Sequence, residues 1–542
     1  MIRGGLVLMA LLTCAAGNPC VAQTLAHLAK QGAATQLIVD GHAYLILGGE
    51  LANSSASDLN YLQKLWPALE GAGLNTVLAP VEWDQIEAEE GRFDFSVLDG
   101  LLLQAGAHHL HVVLLWFGSW KNSMSTYVPP WVKHDFKRFA RARAADGVAQ
   151  DILSPYDLAS AQADARAFAA LMAHLKSADL KRTVILVQVE NEIGMLPSAR
   201  DHSAAADAAL AAPVPQALMN ALRTNREHLN PILESLWAAQ GHRTGGSWAD
   251  VFGAGAAGEE VFQAWGFAAY VEIIAKAGRA VYPIPLYLNV ALNRPGKLPG
   301  EYPSAGPLPH LFLVWKTAAP DIDFIAPDIY FADFVGRLDQ FAAGNSPVFI
   351  PEAGHVGDAA ASANILYAIG TRDAIGASPF SIEHLEPHDA LIGAYAMLHQ
   401  LAPLILAHAG QGEMRGLRAP VAYDGTVNQA PQIVDLGAIR FTANFVDPFT
   451  ASDKQDVASH GALLIQTGPD EFVAAGKGVT LAFADPAGKF RIGIEQIVEG
   501  QYQDGQFVAG RWLNGDESHQ GRLLRLPPDA WSIQHLKLYR FQ

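Results

Sequence analysis

The stretch Thr183-Val184-Ile185-Leu186-Val187-Gln188-Val189-Glu190-Asn191-Glu192-Ile193-Gly194 constrains the fold more than any other. Its first half is β-branched and aliphatic with almost no polar alternation, which is the composition of a strand buried on both faces. Such a strand needs helices on either side of a parallel sheet. Its second half breaks into two carboxylates, an asparagine and a glycine. In a barrel, a carboxylate at the C-terminal end of a strand projects into the mouth where the βα loops converge. The run Pro347-Val348-Phe349-Ile350-Pro351-Glu352 has the same form and also ends in a glutamate.

The pattern along the chain supplies the frame. Residues 23–35 read as a linker or short helix. Residues 36–47 read as a hairpin around Asp40-Gly41, running into Gly48-Gly49-Glu50 at the end of a first strand. Further strands are expected at 76–80, 111–116, 183–190, 284–289, 324–328, 348–352 and 375–380. Helical periodicity occupies 59–73, 93–105, 160–175 and 259–280, and an Ala-rich insertion fills 195–260. Eight strands in order, alternating with helices, make an α/β chain with a (β/α)8 TIM barrel. Glu192 and Glu352 then follow strands four and seven. Beyond residue 415 the period shortens to two, with Asp504-Gly505 and Asn514-Gly515 as hairpin turns. That part reads as an all-β, jelly-roll-like sandwich. It shows no internal repeat and no long linker, so it is expected to pack closely on the barrel. The expected organisation is a signal peptide over 1–22, a catalytic barrel over 23–414 and a β-sandwich over 415–542.

A chain of 542 residues exceeds one ordinary domain, and 50% hydrophobic with 17% charged residues excludes global disorder. The formal charge of −17 argues against nucleic acid or an anionic membrane as partner. A neutral sugar is indifferent to it. Arg3, the apolar run 6–16 and Cys20-Val21-Ala22 read as an export signal cleaved before Gln23. Acylation at Cys14 is the competing lipoprotein reading. Both cysteines lie in this segment, so the mature chain would have no disulfide and no thiolate chemistry, which suits a bacterial periplasm or secretion. No other segment reads as long and apolar enough to be transmembrane. Nothing in the sequence bears on oligomeric state.

Retaining cleavage of an acetal needs an acid to protonate the leaving oxygen and a carboxylate, roughly 5–5.5 Å away, to attack the anomeric carbon. Glu192 and Glu352 are the candidates, and Asn191 stands where an amide would bond the sugar 2-OH. Glu190 competes with Glu192. Strand alternation would turn both to the same side, so the residues alone leave the choice open, with a buried partner that sets its neighbours' protonation as the expected role of Glu190. No P-loop, dinucleotide fingerprint or metal-ligand spacing occurs, so no cofactor and no metal are expected. His108-His109-Leu110-His111 lies at the wrong end of a strand for chemistry.

The run Gln188-Val189-Glu190-Asn191-Glu192-Ile193-Gly194 resembles the acid/base motif of glycoside hydrolase family 35, the β-galactosidases of clan A. Trp83-Asp84-Gln85-Ile86-Glu87-Ala88-Glu89-Glu90-Gly91-Arg92-Phe93-Asp94-Phe95 resembles that family's second-strand loop. The likeness spans about 36–400 and is shared with family 42. It implies Glu192 as acid/base, Glu352 as nucleophile and Tyr330 as hydrogen-bond donor to the nucleophile. It also likens the β part to C-terminal modules of bacterial members. The family's Cys-Ala-Glu-Trp run after the third strand is replaced by Gly118-Ser119-Trp120-Lys121-Asn122, so the sugar subsite is remodelled. Trp120, Lys121 and Asn122 become candidate substrate contacts. Glu50 is either a sugar ligand or a structural salt-bridge partner. Trp83 either walls the site or belongs to the core, and His355 is a candidate for the pocket lining. Trp116 and Trp265 read as core. Together these readings imply a retaining exo-β-galactosidase acting on a neutral oligosaccharide or polysaccharide, such as plant-wall fragments. The alternatives are a sister enzyme for glucose, arabinose or glucosamine, and a non-catalytic carbohydrate-binding barrel.

Overall fold

A computed structural model describes residues 24–542. The expected export signal over 1–22, with Cys14 and Cys20, lies outside the described residues. The described chain opens with three antiparallel strands, β1 (His27–Gln31), β2 (Ala34–Val39) and β3 (His42–Tyr44). Residues 27–31 are therefore strand, not the expected linker or helix. Packing decides this: Leu37 and Val39 of β2, with Ala26, plug the floor of the barrel. The β2–β3 turn has positive φ at both Asp40 and Gly41, as a two-residue hairpin requires.

The barrel strands are β4 (Ile46–Glu50), β5 (Thr76–Glu82) and β6 (His111–Lys121), then β9 (Val184–Asn191), β10 (Leu286–Ala291), β11 (Phe324–Asp328) and β12 (Gly376–Ala377). A small ribbon, β7 (Arg141–Arg143) with β8 (Ala149–Leu153), lies between β6 and β9. The curled parallel sheet runs β11-β10-β9-β6-β5-β4-β12. Seven strands form it, where eight were expected. Residues 348–352 hold the remaining place without a regular ladder. They meet their neighbours through a single bridge from Ile350 to Ala377 and through bonds from Ile375 N to Val348 O (2.8 Å) and Ile329 N to Glu352 O (2.8 Å). Pro347 and Pro351 have no N–H to donate, which accounts for the broken ladder.

Alternate residues of each strand face two different cores. Ile46, Leu78, Val113, Leu115, Ile185, Tyr287, Phe324 and Phe349 fill the barrel. Val77, Ala79, Val112, Leu114, Val187 and Val189 face the helical layer. That layer includes Leu59–Gly71, Ser96–Ala107, Leu158–Ala178 and Ala256–Val281. The Ala-rich insertion forms four short helices between 204 and 252. Contrary to the sequence reading, one helix, Ala390–His408, is long and apolar enough by composition to cross a bilayer, with mean hydropathy 1.6. In the fold, its Leu391, Leu398, Leu401 and Ile405 sit in the core beneath the barrel strands.

The C-terminal region is all-β. One sheet runs β13-β16-β17-β22-β19-β20 and the other β14-β15-β18-β21. The strands are β13 (Met414–Arg418), β14 (Gln432–Leu436), β15 (Ile439–Asn444), β16 (Gly461–Gly468), β17 (Glu471–Lys477), β18 (Val479–Ala484), β19 (Arg491–Gln503), β20 (Gln506–Trp512), β21 (Leu524–Leu526) and β22 (Ser532–Phe541). Asp504-Gly505 turns β19 into β20, with positive φ at both residues. Asn514-Gly515 is not a hairpin turn. It begins a short 3-10 turn, Gly515–Ser518, as the chain crosses from one sheet to the other.

Candidate active site

All eight residues of β9 are buried, and the chemistry begins where its regular conformation ends. Glu190 and Glu192 both adopt positive φ, 62° and 45°. Non-glycine residues rarely do so, and two such kinks cancel strand alternation. The two glutamates therefore serve separate clusters, which corrects the expectation that they share a side. Glu190 turns back onto β6 and accepts from Ser119 N (3.1 Å) and Trp120 N (2.8 Å). Its carboxyl abuts that of Asp164, which accepts from Trp116 Nε1 (2.9 Å) and Ser119 Oγ (2.5 Å). Burial raises both acids; the Asp164 charge and hydrogen bond raise Glu190 further, while the bond from Glu190 lowers Asp164, so the shared proton sits on Glu190. The protonation Glu190 sets is that of Asp164.

Glu192 enters the mouth. Its N–H donates to Asn289 Oδ1 (2.8 Å), while Asn289 Nδ2 donates to Asn191 Oδ1 (3.1 Å) and Asp328 Oδ2 (2.8 Å). Tyr330 donates its hydroxyl proton to Glu352 Oε2. Glu192, Asp328 and Glu352 each bring one carboxylate oxygen within 4.8 Å of the others. Glu50 is 1% exposed, and both its oxygens are buried without partners. The Lys121 ammonium acts on all four acids and rests 4.9 Å from the Phe117 ring.

Burial raises every carboxyl in this group, but unequally. Glu352 is pushed up by desolvation and opposed by Lys121, the Tyr330 hydroxyl and His355. Glu192 is lifted to about 7 by desolvation and then by the charge of Glu352. Glu50 and Asp328 are raised further, again by burial first and the Glu352 charge second. Glu352 thus ionises first, and its charge keeps a proton on Glu192.

The remaining expected residues divide. Asn191 sits beside Glu192 with its Nδ2 buried and unpartnered. His355 is exposed at the rim, its ring 4.8 Å from that of Tyr330. Lys121 and Glu50 are in the site as described. Asn122 N donates to Asn191 O (2.8 Å), and its side-chain oxygen accepts from Met124 N (2.9 Å), so it shapes a turn. Two tryptophans are not in the mouth. Trp120 packs edge-on against Phe267 and Tyr270 in the helical layer. Trp83 is fully buried against Trp116 and Trp131 and donates to Glu87 Oε2 (2.7 Å). β6 continues through Lys121, and this extension carries Trp120 to its outer face and Lys121 into the mouth.

Sequence reasoning missed Asp328 and Asn289. Both left a signal, since each is a polar residue inside or ending an apolar strand run. Glu192, Asp328 and Glu352 are also the residues among those described that could hold a cation. Lys121 already supplies positive charge there, and the close approach of two of the three is what acid/nucleophile chemistry requires.

Residues 58–230 match the family profile described as Beta-galactosidase, glycoside hydrolase family 42. Residues 391–525 match a domain of unknown function, DUF5597. No curated protein matches the chain. Among solved structures it is similar to the β-galactosidase of the psychrophilic Marinomonas ef1, at 12% identity and TM-score 0.44, covering 66% of this chain and 60% of that one. The β-galactosidase of Bacillus circulans sp. alkalophilus gives 13%, 0.43, 67% and 57%. The catalytic domain of the β-amylase of Paenibacillus polymyxa gives 13%, 0.43, 68% and 100%. The chain thus spans about 60% of the length of these β-galactosidases.

Proposed function

We propose that this chain is a retaining, exo-acting glycoside hydrolase that releases terminal β-linked galactose from oligosaccharides. The observation that carries the reading is the pairing of Glu192 and Glu352. One carboxylate oxygen of each lies within 4.8 Å of the other, and burial together with the Glu352 charge lifts Glu192 to about 7. That close approach suits direct attack on the sugar. The family 42 profile over 58–230 and the family 35 resemblance support the β-galactosidase assignment.

In the first step Glu352 attacks the anomeric carbon while Glu192 gives its proton to the departing glycosidic oxygen. The C–O bond breaks and a glycosyl ester forms on Glu352. Esterification removes the negative charge from Glu352, so the pKa of Glu192 falls and it becomes a base. Glu192 then takes a proton from water, whose oxygen attacks the same carbon and frees Glu352. The unpartnered Nδ2 of Asn191 is available to the sugar 2-OH. Glu50 and Asp328 are available to further hydroxyls, for which carboxyls are good acceptors.

Hydrolysis of aryl β-D-galactoside by the wild type, Glu352→Gln and Glu192→Gln tests the reading. Turnover in the wild type, loss in Glu352→Gln and rescue of Glu192→Gln by azide support it. NMR of the first-formed anomer tests retention, and an α-product would sink the double displacement. A second reading is a sister enzyme for an amino sugar. Glu50 favours it, because two buried unpartnered oxygens would suit an ammonium. An aryl β-glucosaminide in the same panel separates the two. If residues 1–22 act as an export signal, the reaction takes place outside the cytoplasm. N-terminal sequencing of protein from the periplasmic fraction checks that.

A further inference from the structure

The loop between β13 and β14 belongs to the C-terminal β region, yet its tip stands at the barrel. Residues 420–428 form a tight hairpin. Ala422 N donates to Thr426 O (2.9 Å), Gly425 N to Ala422 O (2.9 Å) and Asn428 N to Pro420 O (2.8 Å). Asp424 Oδ1 accepts from Thr426 N (3.0 Å). The turn presents Tyr423, whose ring lies 5.3 Å from Phe331 at 50°. Phe331 follows Tyr330, the donor to Glu352, directly in the chain.

The Arg337 guanidinium lies 5.1 Å from the Phe331 ring and 5.6 Å from the Tyr423 ring. Arg337 is itself buried and held by Asp333 Oδ2 (3.0 Å) and Asn293 O (3.3 Å). A buried cation bound to two aromatic faces fixes both rings at the cost of desolvating a charge. A bracing contact alone would not need this, because Tyr423 belongs to none of the apolar cores and remains 44% exposed. Tyr330 is 41% exposed. Phe331 thus joins the β region's Tyr423, by ring contact, to the residue that bonds the nucleophile, its neighbour in the chain.

We propose that Tyr423 is an aglycone platform, on which a neutral sugar of the leaving group stacks while the terminal sugar lies between Glu192 and Glu352. This rests on the glycosidase reading above. The terminal sugar's place is enclosed by buried polar groups, namely Glu50, Asp328 and Asn191, whereas Tyr423 offers a rigid, half-exposed ring. Sugar C–H faces pack on such rings, while hydroxyls stay solvated at the edges. Acidic sugars are disfavoured, since Arg337 is occupied beneath the rings and the chain carries a net charge of −17. The β region would then select substrate as well as support the barrel.

The test compares Tyr423→Ala and Tyr423→Trp on 4-nitrophenyl β-galactoside and on a galactose-terminated oligosaccharide of three or more sugars. In Tyr423→Ala, kcat/KM for the oligosaccharide should fall about tenfold more than for the aryl substrate. Tyr423→Trp should keep the wild-type ratio. Equal losses on both substrates, with a lower Tm, would make Tyr423 a brace and overturn the proposal. Calorimetric titration of the oligosaccharide into Glu352→Gln, with and without Tyr423→Ala, separates the platform from the glycosidase reading. If the wild type cleaves no aryl glycoside, that reading fails by itself. A Kd about tenfold weaker in the double variant would still support the platform, and an equal Kd would overturn it.

Discussion

Glu192 and Glu352 differ in surroundings more than in burial, and their pH behaviour follows from that difference. Glu192 works as an acid only while protonated, so kcat/KM should fall as pH rises through about 7. The acidic limb belongs to Glu352, which must be ionised to attack. Tyr330 donates to that ionised form. Tyr330→Phe removes a lowering influence, so the acidic limb should move to higher pH, with kcat down about ten- to a hundredfold. An acidic limb that stays in place would show that the hydroxyl does not control Glu352. The same group also affects stability. The folded-state pKa of Glu192 lies above its ordinary 4.5, so its contribution is fully present below 4.5 and is lost as pH rises through about 7. Glu192→Gln removes that dependence. At pH 8 the variant should be more stable than wild type by about 1 kcal/mol or more, with the gap closing towards pH 4. Urea melts at the two pH values measure this.

At the scale of elements, the site depends on β9 being held against β6. Gly118 of β6 passes flush over the Glu190–Asp164 pair. A Cβ there would come 2.6 Å from Trp116 Nε1, 2.7 Å from Glu190 Oε1 and 3.0 Å from Asp164 Oδ2. Gly118→Ala should cost about 1–3 kcal/mol and lower kcat through displacement of the Glu190-Asn191-Glu192 turn. Wild-type kcat in a destabilised variant would uncouple the pair from the chemistry. These elements also mark how far the sequence was readable. The run 183–194 was legible because an unbroken aliphatic strand ending in acids has few other readings. After residue 415 the period of two was legible because alternate residues of those strands face different surroundings. Trp83 and Trp120 were not legible as core, since an indole suits a sugar pocket and a helical layer equally. The paired positive φ of Glu190 and Glu192 had no glycine to announce it, and strand alternation therefore misled. Asp328 and Asn289 could have been found as polar breaks in apolar strands. Strand 27–31 could not, because its cause is the barrel floor that it helps cover.

At the scale of the whole molecule, the large β sheet serves two cores at once. Leu463, Ile465, Val473, Ala475 and Ile533 face the barrel helices, while Ala462, Leu464, Phe472 and Ala474 face the second sheet. Adjacent residues of β16 and β17 thus alternate between barrel and sandwich. The contact is close as well as apolar. Gly416 of β13 lies against the helix Ala361–Arg372, where a Cβ on Gly370 would come 2.5 Å from Gly416 N. Thr371 Oγ1 donates to Gly416 O (3.0 Å) and accepts from Gly416 N (2.9 Å). An interface with a shared core and backbone bonds should not open separately from either side. Calorimetry should therefore record one unfolding transition for the whole chain. Ile533→Ala, on the barrel-facing side, should lower that single transition by about 2–5 kcal/mol of stability without splitting it. Two resolved transitions, with only the β region shifted by Ile533→Ala, would show that the barrel stands alone. The hairpin carrying Tyr423 would then be free to move away from the mouth.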